Sequence, residues 1–256
     1  MAGEWTTKQA HARTDENGRR FLLAPVVGAL LLIPLFGLTA SVTQAAEPAV
    51  AIPSPSLDQT APANGELQTA VLAGGCFWGV QAVYQHTKGV TRAVSGYAGG
   101  QKETAHYETV GTGRTGHAES VSVTFDPREI SYGKILQIYF SVAHNPTELD
   151  RQGPDFGTQY RSAIFYANDE QKRIAAAYIA ELEKAHLFGA SIVTKLEPLS
   201  GFYPAEDYHQ DFAVLHPTYP YIVFNDLPKL DNLKRLFADE YRDTPVTVMA
   251  SSRPSQ

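Results

Sequence analysis

The first candidate for chemistry is Cys76, the one cysteine in a chain of 256 residues. It follows Gly74-Gly75, which break a preceding apolar run, and it precedes apolar residues at helical spacing over 77–84. The free N–H groups and the partial positive charge of a helix N-terminus favour a thiolate. The position therefore indicates a nucleophilic thiol, and the alternative that position leaves open is an inert cysteine packed in the core.

The second candidate is Glu119, which lies in a segment that alternates between polar and apolar residues. The alternation places Glu119 on the same strand face as Val121, Val123 and Phe125. Burial of a carboxyl group raises its pKa, and a neutral carboxylic acid can act as a general acid near neutral pH. The alternative is a position at the end of the strand, where the side chain reaches water.

Aromatic residues lie close to these candidates in the sequence. Phe77 and Trp78 follow the thiol directly, so one could pack in the core while the other lines a pocket beside the sulfur. The alternative is that both fill the core. Tyr107 and Tyr160 could donate phenolic hydrogen bonds, although most of the 13 tyrosines must serve packing.

A weaker candidate is the pair formed by Glu206 and His209, which are spaced i, i+3. They could share one helix face and bind a metal ion. Two ligands make a weak signal, so we favour a hydrogen-bonded structural cluster and predict no metal site.

The elements that must position these residues form one domain over residues 67–242. The mixture of strands and helices leaves open whether the fold is α/β or α+β. The pattern predicts strands near 67–73, 90–97, 117–125, 160–166 and 192–196, and helices from Cys76 to before Gly89, after Ser131, from Asn168 to about His186, and near 225–241.

The two ends of the chain differ from this domain. Residues 1–45 carry four basic residues ahead of the uncharged run 21–46, which predicts an export signal cleaved near Ala45. A retained membrane anchor is the alternative, because the run is long enough to span a bilayer. Either way we expect the catalytic part outside the cytoplasm, in the periplasm. Residues 46–66 are rich in proline and alanine and predict a flexible spacer, and residues 243–256 predict a flexible tail.

The composition excludes several classes of protein. A single cysteine excludes a disulfide framework within the chain and a thiolate-rich zinc site. The net charge of −6 argues against a large nucleic-acid-binding surface. No P-loop or dinucleotide-binding pattern is present.

Four motifs resemble those of the A-type peptide methionine sulfoxide reductases, and they occur in that family's order within residues 68–225. Any one short motif could arise by chance, whereas four in order are highly specific. The motifs are GCFWG at 75–79, GRTGHAE at 113–119, DRQG at 150–153 with GTQYRS at 157–162, and FYPAEDYHQ at 202–210.

The resemblance implies an α+β fold, a two-layer sandwich around a mixed sheet with a ferredoxin-like core. It implies the reduction of methionine sulfoxide to methionine, free or in proteins, with selectivity for the S epimer at sulfur. Cys76 would attack the sulfoxide sulfur, and Glu119 would protonate the sulfoxide oxygen. Tyr107 and Tyr160 would hydrogen-bond that oxygen.

The resemblance also implies how substrate is held. Phe77 and Trp78 would enclose the methyl group, and Asp155 would bind polar parts of the substrate. Pro154 and Phe156 depart from the residues that the family has beside Asp155.

Regeneration of the thiol is where this chain departs from many relatives. Those relatives resolve the cysteine sulfenic acid with a second cysteine, often near the C-terminus, and residues 211–256 contain none. We therefore expect a monomeric one-cysteine enzyme with no bound cofactor, reduced by an external thiol donor such as a thioredoxin-like protein or a small thiol. Its expected role is the repair of oxidised exported proteins.

Two other functions agree with part of the pattern. A cysteine hydrolase or acyltransferase would use Cys76 with His117 or His209 as the base. An exported binding domain would keep Cys76 as a buried, unreactive packing residue.

Overall fold

The structure is a computed structural model that describes residues 48–60 and 65–251. The predicted export signal at residues 1–45 lies outside the described residues. Among the residues that the structure describes, no helix is both long enough and apolar enough to cross a membrane.

The described residues form strands and helices whose bounds agree with most of the predicted segments. The strands are β1 (Gln68–Gly74), β2 (Val90–Ala98), β3 (Ala118–Phe125), β4 (Arg151–Gln152), β5 (Asp155–Phe156), β6 (Ser162–Tyr166), β7 (Lys195–Pro198) and β8 (Phe202–Pro204). The helices are α1 (Phe77–Gln85), α2 (Tyr107–Val110), α3 (Tyr132–Ile138), α4 (Asp169–Ala185), α5 (Phe212–Leu215), α6 (Leu227–Leu236) and α7 (Val248–Ser251).

Six of these strands form one sheet in the order β7-β6-β1-β3-β2-β8. The central strands β6, β1, β3 and β2 pair antiparallel, and with α1 and α3 they form the βαββαβ arrangement of a ferredoxin-like core. The edge strand β7 pairs parallel with β6, which makes the sheet mixed. The choice that the sequence pattern left open is thus decided in favour of α+β, because most neighbouring strands are antiparallel.

The sheet has one helix-covered face and one face covered by loops. Val121, Val123 and Phe125 point from β3 into the large core formed with α1, α3 and α4, and none of the three is exposed. A smaller core lies on the opposite face, where the partly buried Leu199 and Phe202 cover it. The predicted two-layer sandwich is therefore confirmed.

Two helices, α3 and α4, begin at the capping residues after which the sequence predicts them. The Ser131 side chain accepts a hydrogen bond from Lys134 N at the start of α3. The Asn168 side chain accepts from Gln171 N at the start of α4.

Two sheet edges differ from the prediction. The strand predicted at 192–196 begins only at Lys195, because Val193 N donates to Pro146 O outside the sheet. The aromatic segment 202–204 adds β8 to the edge of β2, where the sequence pattern predicts no strand. Side-chain periodicity cannot reveal such short edge strands.

The N-terminal segment, defined as residues 48–60, is packed on the domain. Its main-chain carbonyls accept hydrogen bonds from side chains of the helical layer, and Ile52 is only 8% exposed. The flexible spacer predicted over 46–66 is therefore wrong for this part. The hydrogen bonds are Val50 N to Ser141 O (3.1 Å), Gln137 Nε2 to Ile52 O (2.8 Å), Tyr178 OH to Pro53 O (2.6 Å) and Gly133 N to Asp58 Oδ1 (2.8 Å).

We expect Ile52→Ala to lower the free energy of unfolding by about 2 kcal/mol, because it removes buried methylene groups and leaves a cavity. Urea denaturation measures the change. The exposed neighbour Ala51, changed to Ser, is the matched control and should alter stability by less than about 0.5 kcal/mol. Equal stability of the Ile52 variant and the wild type would mean that the segment contributes no packing energy.

The predicted flexible tail also makes contacts where it is described. Val246 N donates to Gln85 O, and the buried Asp211 carboxylate accepts from Val248 N and Met249 N at 3.0 Å each. The tail over 246–249 is thus attached to the domain through an internal acceptor that sequence composition could not reveal.

Candidate active site

One cavity of about 160 Å³ collects the candidate residues from five separate parts of the chain. All seven residues predicted for the site line it, together with one tyrosine that was not predicted. The lining residues are Cys76, Phe77, Trp78, Tyr107, Glu119, Asp155, Tyr160 and Tyr221.

The turn between β1 and α1 places Cys76 at the N-cap of α1. Gly75 adopts a left-handed conformation with φ of +86°, and a Cβ there would lie 2.5 Å from Gln152 Cβ. Gln152 is itself fixed, because it accepts from Asn145 N and donates to Asn145 O. Glycine is therefore required at position 75 by backbone conformation and by space.

The electrostatics of the thiol differ from the expectation of a thiolate favoured by the helix end. Cys76 keeps partial contact with solvent, yet burial is the largest effect and raises its pKa well above the usual value. The carboxyl groups of Glu119 and Asp226 raise the pKa further, and the hydrogen bond with the Trp78 backbone lowers it only in part. Burial and the nearby carboxyl groups therefore outweigh the helix end, contrary to the expectation of a favoured thiolate.

Glu119 is buried on the core face of β3, with 4% of its surface exposed. Its Oε2 accepts a hydrogen bond from Phe77 N at 3.1 Å, which joins β3 to the first turn of α1. Burial raises the pKa of Glu119 to about 8, and the Phe77 N–H offsets only part of that rise. The carboxyl group is therefore neutral near pH 7, and the alternative of a water-exposed strand end is wrong.

The raised pKa of Glu119 predicts a pH-dependent cost to stability. Glu119 ionises near its ordinary value of 4.5 when the chain is unfolded, but only near pH 8 when it is folded. Stability should therefore fall between these values, by about 4 kcal/mol at pH 8 from this group. We expect Glu119→Gln to lose less stability than the wild type when urea denaturation at pH 5 is compared with pH 8. An equal loss of unfolding free energy in the two proteins between pH 5 and pH 8 would contradict the raised pKa of Glu119.

Phe77 and Trp78 form the aromatic wall of the cavity. Phe77 is 1% exposed, whereas Trp78 is partly buried and stacks on Phe212 with ring centroids 3.8 Å apart. Trp78 Nε1 donates to His209 Nδ1 at 3.2 Å, which fixes the indole plane. Both aromatic residues line the cavity. Phe77 also packs in the core, so the two predicted roles are combined in this one residue.

Glu206 and His209 form the hydrogen-bonded cluster that the sequence favoured. Glu206 accepts from Tyr97 OH at 2.8 Å and from Tyr107 N at 3.0 Å. The Tyr107 ring packs on His209 with centroids 4.4 Å apart. The cluster therefore holds Tyr107 and Trp78 at the cavity.

The phenol groups in the cavity are hydrogen-bond donors. Burial is the largest cause that raises the pKa values of Tyr107 and Tyr160, and the charge of Glu119 raises them further. Both hydroxyls keep their protons throughout the physiological pH range.

Tyr221 is the cavity residue that the sequence did not reveal. Its hydroxyl donates to Asp155 Oδ2, and its ring meets Trp78 edge-on at 85° with centroids 5.9 Å apart. Asp155 is half-buried, and burial raises its pKa. The 66-residue separation of Asp155 and Tyr221 left no local signal that could have found this pair.

The histidines of the hydrolase alternative do not line the cavity. His117 Nδ1 lies 3.2 Å from Gly100 N, and its Nε2 lies 2.9 Å from Gln101 O. His209 Nδ1 accepts from Trp78. Neither histidine thus provides a general base beside the thiol, whereas Glu119 provides a neutral acid.

Comparisons with known proteins agree with this arrangement. Residues 68–241 match the protein family described as peptide methionine sulfoxide reductase. The chain is 65% identical to peptide methionine sulfoxide reductase MsrA 2 of Mesorhizobium japonicum, over 72% of this chain and 95% of that protein. It is 49% identical to MsrA of Pasteurella multocida, over 68% of this chain and 99% of that protein.

Solved structures give the same result. Reduced Mxr1 of Saccharomyces cerevisiae superposes with a TM-score of 0.55 at 31% identity, covering 64% of this chain and 92% of that one. Methionine sulfoxide reductase A of Corynebacterium diphtheriae gives a TM-score of 0.52 at 32% identity, covering 70% of this chain and 89% of that one.

Proposed function

Because the chain belongs to the peptide methionine sulfoxide reductase family, as an A-type member with a single cysteine, we propose that it reduces the S epimer of methionine sulfoxide. The substrate is methionine sulfoxide either free or within proteins. Cys76 is the nucleophile and Glu119 is the general acid. The observation that carries the proposal is that the thiol and a neutral, buried carboxylic acid line the same cavity.

The reaction needs both groups because a sulfoxide oxygen is a poor leaving group until it is protonated. The Cys76 sulfur attacks the sulfoxide sulfur while Glu119 donates a proton to the oxygen, and the proton of the Cys76 thiol passes to Glu119 and restores its neutral form. Two electrons pass from the cysteine sulfur to the methionine sulfur, and the oxygen is formally transferred. Methionine leaves, and Cys76 remains as the sulfenic acid.

The other cavity residues hold the substrate. The neutral phenols of Tyr107 and Tyr160 donate hydrogen bonds to the sulfoxide oxygen as negative charge develops on it. Phe77 and Trp78 enclose the methyl group. Asp155, oriented by Tyr221, accepts from polar groups of the substrate.

The protonation state of Glu119 also affects the Cys76 thiol. Its carboxylate form opposes the Cys76 thiolate, whereas the neutral form does not. Below about pH 8 Glu119 is neutral and can donate the proton that the oxygen needs. Catalysis therefore fails when the pH rises through this value.

External thiols regenerate the enzyme, because the chain has no second cysteine. One thiol displaces water from the sulfenic acid and forms a mixed disulfide with Cys76. A second thiol then releases the Cys76 thiol and a disulfide of the two donors. A thioredoxin-like protein or a small thiol fits this sequence, and the enzyme needs no bound cofactor.

The test is an assay of residues 46–256 with the separate S and R epimers of N-acetyl-methionine sulfoxide. We expect turnover of the S epimer alone when dithiothreitol is present. Without dithiothreitol, we expect at most one methionine per chain and an added oxygen atom on Cys76 in the mass spectrum. Acylation of Cys76 without thiol consumption would instead favour the hydrolase.

We also propose that the enzyme is exported and acts on oxidised proteins outside the cytoplasm. The basic residues ahead of an uncharged run at the N-terminus support this location. N-terminal sequencing of protein recovered from the periplasmic fraction tests it, with cleavage near Ala45 as the expected result. Recovery of the uncleaved chain from the cytoplasmic fraction would contradict it.

A further inference from the structure

A second buried carboxyl group, Asp226, lies outside the set of cavity residues and has no role in the reaction described above. Its side chain is fully buried, and one of its oxygens, Oδ1, accepts from Lys229 Nζ at 3.3 Å. The other oxygen, Oδ2, is buried and has no hydrogen-bond partner among the described residues. A carboxylate with one unpartnered oxygen is costly to bury, so its position needs an explanation.

Asp226 packs directly against the first turn of α1. A Cβ at Gly79, the third residue of that helix, would overlap Asp226 Oδ1 and would lie 2.8 Å from Lys229 Nζ. Glycine at position 79 thus provides the space that the carboxylate occupies. The N-cap of the same helix is Cys76, so the thiol and the carboxylate share one helix end.

A helix N-terminus stabilises a nearby negative charge, and two negative groups at one N-terminus also repel each other. The negative charge of the Asp226 carboxylate therefore offsets the positive potential at the N-terminus of α1, which would otherwise stabilise a Cys76 thiolate. Its own pKa is raised to about 6, chiefly by burial and against the effect of Lys229. Asp226 is accordingly ionised at neutral pH.

The other ionisable groups around the Cys76 thiol carry less negative charge at neutral pH or act on it less strongly than Asp226 does. Glu119 on β3 is neutral below about pH 8, and the phenols keep their protons because their pKa values are raised. Asp155 on β5 raises the pKa of Cys76 less than Asp226 does. Lys229 on α6 is bound to Asp226 itself. The groups facing the cavity are otherwise the phenols of Tyr107, Tyr160 and Tyr221.

We propose that Asp226 is a positioning residue that keeps Cys76 in the thiol form in the resting enzyme by placing a negative charge at the N-terminus of α1. The protonated thiol reacts slowly with electrophiles that are not substrate, which suits a lone cysteine in an oxidising compartment. The proposal rests on Cys76 being the nucleophile of the proposed function.

The test is the rate of alkylation of Cys76 by iodoacetamide, without sulfoxide, between about pH 5 and pH 9. Removal of one charge that shifts a thiol pKa by about one unit gives about ten times more thiolate. The lower nucleophilicity of the more acidic thiolate reduces this gain to about threefold in rate. We expect Asp226→Asn to alkylate about three times faster than wild type near pH 7.5, and at nearly the wild-type rate at about pH 5, where Asp226 is mostly neutral.

The matched control is Asp231→Asn, which removes an exposed charge from α6, the helix whose N-cap is Asp226, and should leave the profile unchanged. Asp226→Ser removes the charge with different packing, and thiolate absorbance in the ultraviolet reports the protonation state directly. Whichever Asp226 variant folds should show the shift. An alkylation profile equal to that of Asp231→Asn would overturn the proposal, even if the melting temperature changed. Because no sulfoxide is present, this result is independent of whether the reductase assay succeeds.

Discussion

Replacement of Cys76 by serine should lower kcat/KM for methionine-S-sulfoxide by about 10⁴-fold or more, the scale of loss when a covalent nucleophile is removed. The chain has no other cysteine that could take its place. A serine hydroxyl is a far weaker nucleophile than a thiol, and among the described residues no histidine lines the cavity to activate it. The measurement is thiol-dependent release of methionine under single-turnover and steady-state conditions.

The serine variant must keep its fold for this result to be informative. Serine is smaller than cysteine and preserves the N-cap position of α1, so we expect an unchanged melting temperature and unchanged near-ultraviolet circular dichroism. The variant should also lose the sulfenic acid adduct. Turnover above about one per cent of wild type would mean that another group attacks the sulfoxide, and the assignment of Cys76 would fail.

The second large effect is expected for Glu119→Gln, which should lower kcat by about 10²–10⁴-fold, the usual contribution of a general acid. Glutamine keeps the shape of the side chain and can still accept from Phe77 N, but it has no acidic proton to donate. The wild-type rate should fall as the pH rises through about 8, because Glu119 is then deprotonated. This falling limb should be absent from the residual activity of the variant.

Glu103→Gln is the matched control, since Glu103 is exposed and does not line the cavity. It should keep both the wild-type rate and the wild-type pH profile. An alkaline limb that persists in Glu119→Gln would assign the ionisation to another group, and a wild-type rate would remove Glu119 from the mechanism. Cys76 alkylation, measured on the same samples, separates a lost acid from a changed thiol.

Glu119 and Cys76 place opposite requirements on the cavity, because the acid must be neutral and the nucleophile must be a thiolate. The acid must be neutral near pH 7, which burial provides. Burial also raises the pKa of Cys76 and so disfavours its thiolate form. A cavity lined by phenol donors suits a transition state in which charge moves from sulfur to oxygen.

The sequence by itself determined the features that depend on neighbouring residues. The glycines before Cys76 and the apolar spacing after it predict the strand-to-helix turn, because backbone freedom and helical periodicity are local properties. The alternation around Glu119 places it on the core-facing side of its strand, because strand residues alternate between faces, but it left open whether the side chain reaches water at the strand end. The caps at Ser131 and Asn168 follow from the same kind of short-range signal.

Tertiary structure alone decided which residues meet and what their surroundings do to them. It joined Tyr221 to Asp155, placed Asp226 against α1 and packed the N-terminal segment on the helices. It also reversed the expected effect on the Cys76 thiol. Burial and the charges that face a group arise only when distant segments pack together, so no periodicity or composition along the chain could have predicted them.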